Sequence, residues 1–149
     1  ACNNQEDNRN YVSSNLSERA LREIYLRAFE ETVVEGKAKS IMTSYNRVNG
    51  VYSPNSYDLC TKVLRNEWGF DGVVMTDWFS TGGKKGDTAV CMAAGNDLIM
   101  PGGATFKAEI LLGLRSGKLT KADLRRCCAN VLKQIFDSPT QREYIDGNP

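Results

Sequence analysis

The sequence predicts an α/β protein with about three parallel strands and helices packed outside them. Short apolar runs bounded by glycine or polar residues occur at 40–44, 72–76 and 97–100, the pattern of strands buried in a parallel sheet. Segments of helical period separate and follow these runs, and the connections are short, which gives a βαβαβα order. A closed barrel of eight such units needs roughly 200 residues or more. The 149 residues therefore make either a piece of a barrel or a small open sheet.

Taken in order, residues 1–15 are polar and asparagine-rich and read as a loop. Ser17 caps a helix running to about Glu35, with Leu21, Ile24, Phe29 and Val33 near helical spacing and Gly36 as its stop. The first strand follows at about 40–44. Asn49-Gly50 and Pro54 mark 46–55 as a loop, with Asn49-Gly50 suited to a turn of positive φ. A second helix spans Ser56 to Trp68, and the strand at 72–76 comes next, seated by the packing of Trp68, Gly69 and Phe70. Thr81 to Gly86 is a flexible connection. Asp87 caps a short helix, Thr88 to Ala94, that ends at Gly95. The third strand, 97–100, stops at Pro101-Gly102-Gly103. Helices over Thr105 to Ser116 and Lys121 to Phe136 complete the order, the last capped by Thr120 with Asp123 three residues on. The segment from Pro139 is polar and reads as a loose tail.

Composition narrows the function. With 41% hydrophobic residues the chain can build a core, and 19 basic against 18 acidic residues leave a net charge of +1 with the signs interspersed. No field draws nucleic acid or an anionic membrane. No apolar stretch approaches the roughly 20 residues of a spanning helix, and Ala1–Glu6 does not read as a signal peptide. Five cysteines, at 2, 60, 91, 127 and 128, lack CxxC spacing and no histidine is present, so no zinc site and no cofactor is expected. Thiols inside helical patterns lean towards a reducing compartment. Gly82-Gly83-Lys84-Lys85 lacks the GxxxxGK[ST] spacing of a nucleotide loop.

Asp77 closes the run Gly72-Val73-Val74-Met75-Thr76, and a carboxylate at the carboxyl end of a parallel strand stands where α/β enzymes gather their chemistry. The bland reading is an aspartate that caps the next helix or pairs with an arginine. Met42–Gly50, Leu64–Gly72 and Thr76-Asp77-Trp78, in this order and spacing, resemble the barrel domain of glycoside hydrolase family 3. The resemblance implies a partial, half-size TIM-type barrel. In the family a Lys-His-Phe segment precedes the region similar to Ala1–Glu6, so residues 1–137 are expected to be the C-terminal half of the barrel domain. Residues 138–149 would be a tail or linker.

The same resemblance implies the chemistry. Family members use the aspartate of a Ser/Thr-Asp-Trp motif as nucleophile, which assigns Asp77. It places Trp78 as a wall of the sugar site, and Tyr45 and Met42 at the subsite of the non-reducing sugar. For Met42, core filling is an equal alternative. Retaining hydrolysis needs a second carboxyl group about 5 to 5.5 Å away. In the β-glucosidase branch that group comes from a further domain, whereas the N-acetylhexosaminidase branch uses an Asp-His pair, which a chain without histidine does not supply. The expectation is a fragment of a retaining β-glucosidase, inactive alone and prone to self-associate through its half-barrel surface, with a β-linked glucoside as substrate. A β-xylosidase or α-arabinofuranosidase, or a non-catalytic α/β binding module, are the alternatives.

Overall fold

The computed structural model describes residues 1–145 and 147. Its centre is a parallel pair, β2 (Ser40–Thr43) beside β5 (Val73–Thr76), in the register Ser40↔Val73 to Thr43↔Thr76. Leu98 extends the pair as a single parallel bridge to Met75, with the Thr76 amide donating to its carbonyl at 3.0 Å. The third predicted strand is thus shortened to a bridge. The Met100 amide, which would prolong the ladder, is bound instead by the Thr76 hydroxyl at 2.9 Å, and Pro101 has no N–H to offer.

Helices cover one face of the sheet. Alternation along β5 buries Val74 and Thr76 completely, and Val74 packs with Val33, Leu64, Phe70, Ile41 and Trp68. Val33 belongs to the helix that begins at Ser17, whose hydroxyl accepts from the Ala20 amide. This helix runs through α1 (Glu18–Ala20), a π-helical stretch (Leu21–Tyr25) and α2 (Arg27–Val34). The positive φ that ends it falls on Lys37, while Gly36 serves a close approach instead, since a Cβ there would stand 2.7 Å from the Thr32 carbonyl oxygen. Leu64 comes from a second π-helical segment (Asp58–Glu67). A second core joins Ala89, Met92, Leu119 and Cys127 between α3 (Thr88–Ala94), α4 (Ala104–Ser116) and α5 (Lys121–Phe136). Asp87 caps α3 through the Ala89 and Val90 amides, and Thr120 and Asp123 form the capping box of α5.

Two expected loops contain short strands. Asn49 and Gly50, at φ 50° and 85°, turn a hairpin of β3 (Arg47–Val48) and β4 (Val51–Tyr52), followed by a 3₁₀ turn (Ser53–Asn55). β1 (Ser13–Ser14) pairs in parallel with β3, held by the Arg47 amide on the Val12 carbonyl at 2.9 Å. Two-residue strands carry no alternation for a sequence to reveal. α6 (Pro139–Ile145) occupies most of the segment read as a tail, whose residues 146, 148 and 149 lie outside the described residues.

One buried ion pair fastens these parts. The Asp97 carboxylate, fully buried, accepts from Arg65 of the second π-helical segment at 2.6 Å, from the Val74 amide at 2.9 Å and from Asn130 of α5 at 2.8 Å. Arg65 also donates to the Gly95 and Gly72 carbonyls. Nearer the surface, Asp71 bridges Lys133 and Lys39, which hold its carboxyl down to about 2. Removing one member of a buried pair strands the other without compensation. Asp97→Ala is therefore expected to lower unfolding stability by about 3 to 5 kcal/mol, measured by chemical denaturation. A loss below about 1 kcal/mol would contradict this account.

Candidate active site

Asp77 stands one residue beyond β5, and its amide donates to the Thr43 carbonyl at 3.0 Å, so it keeps the ladder geometry at the carboxyl ends of both central strands. Alternation puts its side chain on the face of Met75 and, by register, of Met42, opposite the helix-packed face of Ile41, Val74 and Thr76. The carboxylate is half-buried. Its Oδ1 accepts from the Trp78 amide at 2.6 Å and lies 3.1 Å from the Tyr45 hydroxyl. Among the described residues Oδ2 has no hydrogen-bond partner, and no cation is ion-paired with Asp77. The helix-capping role belongs to Asp87, not to Asp77.

Tyr45 is held from both sides. Ser44 donates to Asn46 Oδ1 at 2.7 Å, and the fully buried Asn46 donates to the Cys2 carbonyl at 3.1 Å while its own carbonyl accepts from Ser53. These bonds pin the chain leaving β2. The Tyr45 hydroxyl then reaches the Trp78 carbonyl at 2.7 Å as well as Asp77, so one proton serves two acceptors. Burial, the hydrogen bond to Asp77 and the charge of Asp77 push the Tyr45 phenol above its usual value, against the nearby Arg9 cation.

Trp78 is 55% exposed and Met42 54% exposed, both large apolar groups left open at the site. The structure brings Asp77, Tyr45 and Trp78 into direct contact. It places Met42 on the same sheet face, paired in register with Met75 two residues before Asp77. Trp78 and Phe79 meet edge to face with centroids 6.3 Å apart.

Two cations at the site were not singled out from the sequence. The Arg9 guanidinium lies 4.8 Å from the Tyr45 ring centroid and is ion-paired with Glu6, and the Lys85 ammonium lies 5.7 Å from the same ring. Arg9 sits in the asparagine-rich segment and Lys85 in the glycine-rich connection, neither of which carries periodicity that would aim a side chain. No group of three or more histidine, cysteine, aspartate or glutamate residues that could hold a metal ion occurs among the described residues.

A helix-covered parallel sheet with a carboxylate and aromatic groups at its carboxyl rim has the layout of an α/β barrel enzyme. Comparison with known proteins gives the family. The profile of the glycosyl hydrolase family 3 N terminal domain matches residues 3–133, and the chain belongs to this family. The match corrects the expected placement in the C-terminal half of the barrel domain: what is supported is a position in the family's N terminal domain. The motifs used for the resemblance fix the family but hold no marker for counting units from the barrel's start.

The chain is 44% identical over 144 residues to a β-glucosidase of Ruminococcus albus, covering 91% of this chain and 15% of that protein. It is likewise 44% identical over 135 residues to an exo-α-(1→6)-L-arabinopyranosidase of Bifidobacterium breve, covering 91% of this chain and 17% of the relative. In structure it is similar to β-glucosidase 3B of Thermotoga neapolitana in complex with glucose, at a TM-score of 0.86 and 43% identity, over 99% of this chain and 21% of that one. The chain thus spans about a sixth of the length of the curated relatives.

The Tyr45 environment yields a titration prediction. Because the folded state favours the neutral phenol, its contribution to stability is present below about pH 10 and is lost as pH rises through the raised folded value. An ultraviolet-difference titration of the chain against Tyr45→Phe should show one tyrosine ionising late, shifted back towards the ordinary range by Asp77→Asn. A Tyr45 that ionises with the exposed tyrosines would refute the arrangement.

Proposed function

We propose that the protein containing this chain is a retaining, exo-acting β-glycosidase, and specifically a β-glucosidase, with Asp77 as nucleophile. The observation that carries the reading is the Asp77 carboxylate at the strand ends, oriented through Oδ1 by Tyr45 and the Trp78 amide, with Oδ2 unclaimed among the described residues. Family membership and the β-glucosidases among the relatives support it.

In this mechanism one Asp77 oxygen attacks the anomeric carbon as a general acid protonates the departing glycosidic oxygen, leaving a glycosyl ester on Asp77. Water activated by the deprotonated general acid, now a base, then breaks that ester, freeing the Asp77 carboxylate and releasing the sugar with its configuration retained. Trp78 offers an indole face to the apolar side of the pyranose, and Tyr45 keeps the carboxylate in one orientation. Met42 borders the sugar from the same sheet face. The proton donor is assigned outside this chain, as the resemblance to the β-glucosidase branch implies. The 149 residues alone would then turn over slowly, since losing general-acid help costs roughly 10² to 10⁴ in rate.

Treating the whole protein with a 2-deoxy-2-fluoro-β-glucoside should label the peptide containing Asp77, and Asp77→Ala should lower kcat on the order of 10⁴-fold or more. Labelling at another residue would remove the assignment. The relative that acts on an L-arabinopyranoside favours a second reading of the sugar, a pentoside in place of glucose, which parallel assays on aryl glucosides and aryl pentosides separate.

The isolated chain is proposed to pair with a second copy. Among the described residues β2 is bonded to a neighbour on one side only, and Leu26, Phe29, Ile41, Met42, Leu59 and Trp68 line an apolar groove along it. Sedimentation at rising concentration should show dimers or larger species, and a strict monomer would count against this.

A further inference from the structure

The loop that carries Trp78 is fixed at its base and exposed at its tip. At the base, Thr81 bridges to Gly86, the Gly82 amide donates to the Gly86 carbonyl at 2.7 Å, and the Thr88 hydroxyl reaches Thr81 at 3.1 Å. Asn55 donates to the Asp87 carbonyl at 3.0 Å, and its Oδ1 comes so near Gly86 that a Cβ there would stand 2.3 Å away. At the tip, Trp78 and Phe79 are more than half exposed, and Phe79 takes φ 58° with a side chain that gains nothing from that conformation. Backbone strain of this sort persists only where neighbours over-determine it.

Two tethers meet there. The Phe79 amide donates to the Met100 carbonyl at 3.0 Å, and the Phe79 carbonyl accepts from the Lys85 ammonium at 2.7 Å. The same ammonium lies over the Tyr45 ring, 5.7 Å from its centroid, and the Tyr45 hydroxyl returns to the Trp78 carbonyl at 2.7 Å. Lys85, Phe79, Trp78 and Tyr45 thereby form a closed circuit beside Asp77. Lys84, its neighbour in sequence, makes no ion pair among the described residues and joins the circuit at no point.

We propose that Lys85 is a positioning residue that holds the Trp78–Phe79 tip against Tyr45 and so fixes the indole wall beside Asp77. It acts through Trp78, not on the sugar. The proposal rests on the β-glycosidase reading above and deepens it: the rigidity of the sugar wall is supplied by a lysine from the glycine-rich loop. An ammonium on a flexible stem can satisfy a carbonyl and face an aromatic ring together, whereas methionine, of similar length, has no donor for the carbonyl and brings no charge to the ring.

The test uses the whole protein, labelled with 5-fluorotryptophan, with the Trp78 resonance assigned by its disappearance in Trp78→Phe. In Lys85→Met the Trp78 ¹⁹F signal should narrow and move towards the position of an exposed indole, while Lys85→Arg, which still donates to the Phe79 carbonyl, should leave it in place. In kinetics, Lys85→Met should reduce kcat/KM about 5- to 30-fold, with Lys85→Arg within about 2-fold of wild type. Added to Trp78→Ala, the same substitution should cost less than about 2-fold, because residues that act as one unit are not additive. An unmoved Trp78 signal in Lys85→Met, or full additivity with Trp78→Ala, would overturn the proposal. The ¹⁹F measurement needs no substrate, so it judges Lys85 even if the wild-type protein hydrolyses no glycoside. That latter outcome would instead overturn the β-glycosidase reading.

Discussion

The Asp97 carboxylate is the point on which the sheet, the second π-helical segment and α5 converge. One oxygen accepts from Arg65 and from the Val74 amide, the other from Asn130, so a single residue sets strand register and helix position together. Such a site does not by itself gain much energy, since desolvating both charges offsets most of their attraction. What it supplies is uniqueness of arrangement. A slip of β5 by one residue would lose the Val74 bond to Asp97 and turn Asp77 to the helix-covered face.

A second, uncharged junction works next to it. The buried Asn96 accepts from the Thr43 hydroxyl and donates to the Pro54 and Cys91 carbonyls, joining the end of β2 to the turn after β4 and to α3. Asn46 does the same between β2, the chain start and Ser53. Both asparagines hold the carboxyl ends of the strands, where the backbone leaves regular hydrogen bonding and needs side-chain partners instead. The proposed site inherits its shape from them: Tyr45 and Asp77 meet because the chain segments that bear them are tied underneath. Hydroxyls, amides and one ion pair do this work where the sheet itself is only two full strands wide.

Legibility in the sequence followed the physical range of the signals. Capping is local, so Ser17, Asp87 and the Thr120–Asp123 box could be read from adjacent residues, and α5 was bounded correctly at both ends. The two central strands showed as apolar runs, but only β5 is buried, since among the described residues β2 pairs with it alone and stays partly exposed. The hairpin at 47–52 was half visible, since Asn49-Gly50 announced the turn while two-residue strands left no pattern. The site divided likewise. Asp77, Tyr45 and Trp78 could be named from motifs next to strand ends, but Arg9 and Lys85 come from irregular segments, and only long-range contacts bring them to the Tyr45 ring.

The sequence alone determined the order of the two central strands and of the helices through α5, the caps, and the placement of a carboxylate and an indole at the end of β5, because each depends on residues within a few positions of one another. The tertiary structure decided that the third strand shrinks to one bridge, as the Thr76 hydroxyl takes the amide that a longer ladder would use. It also decided the partnership of Arg65 with Asp97 and the circuit from Lys85 through Phe79 and Trp78 to Tyr45. Those choices depend on which polar groups remain unsatisfied once helices and sheet have packed, a property of the folded surface that no local pattern encodes.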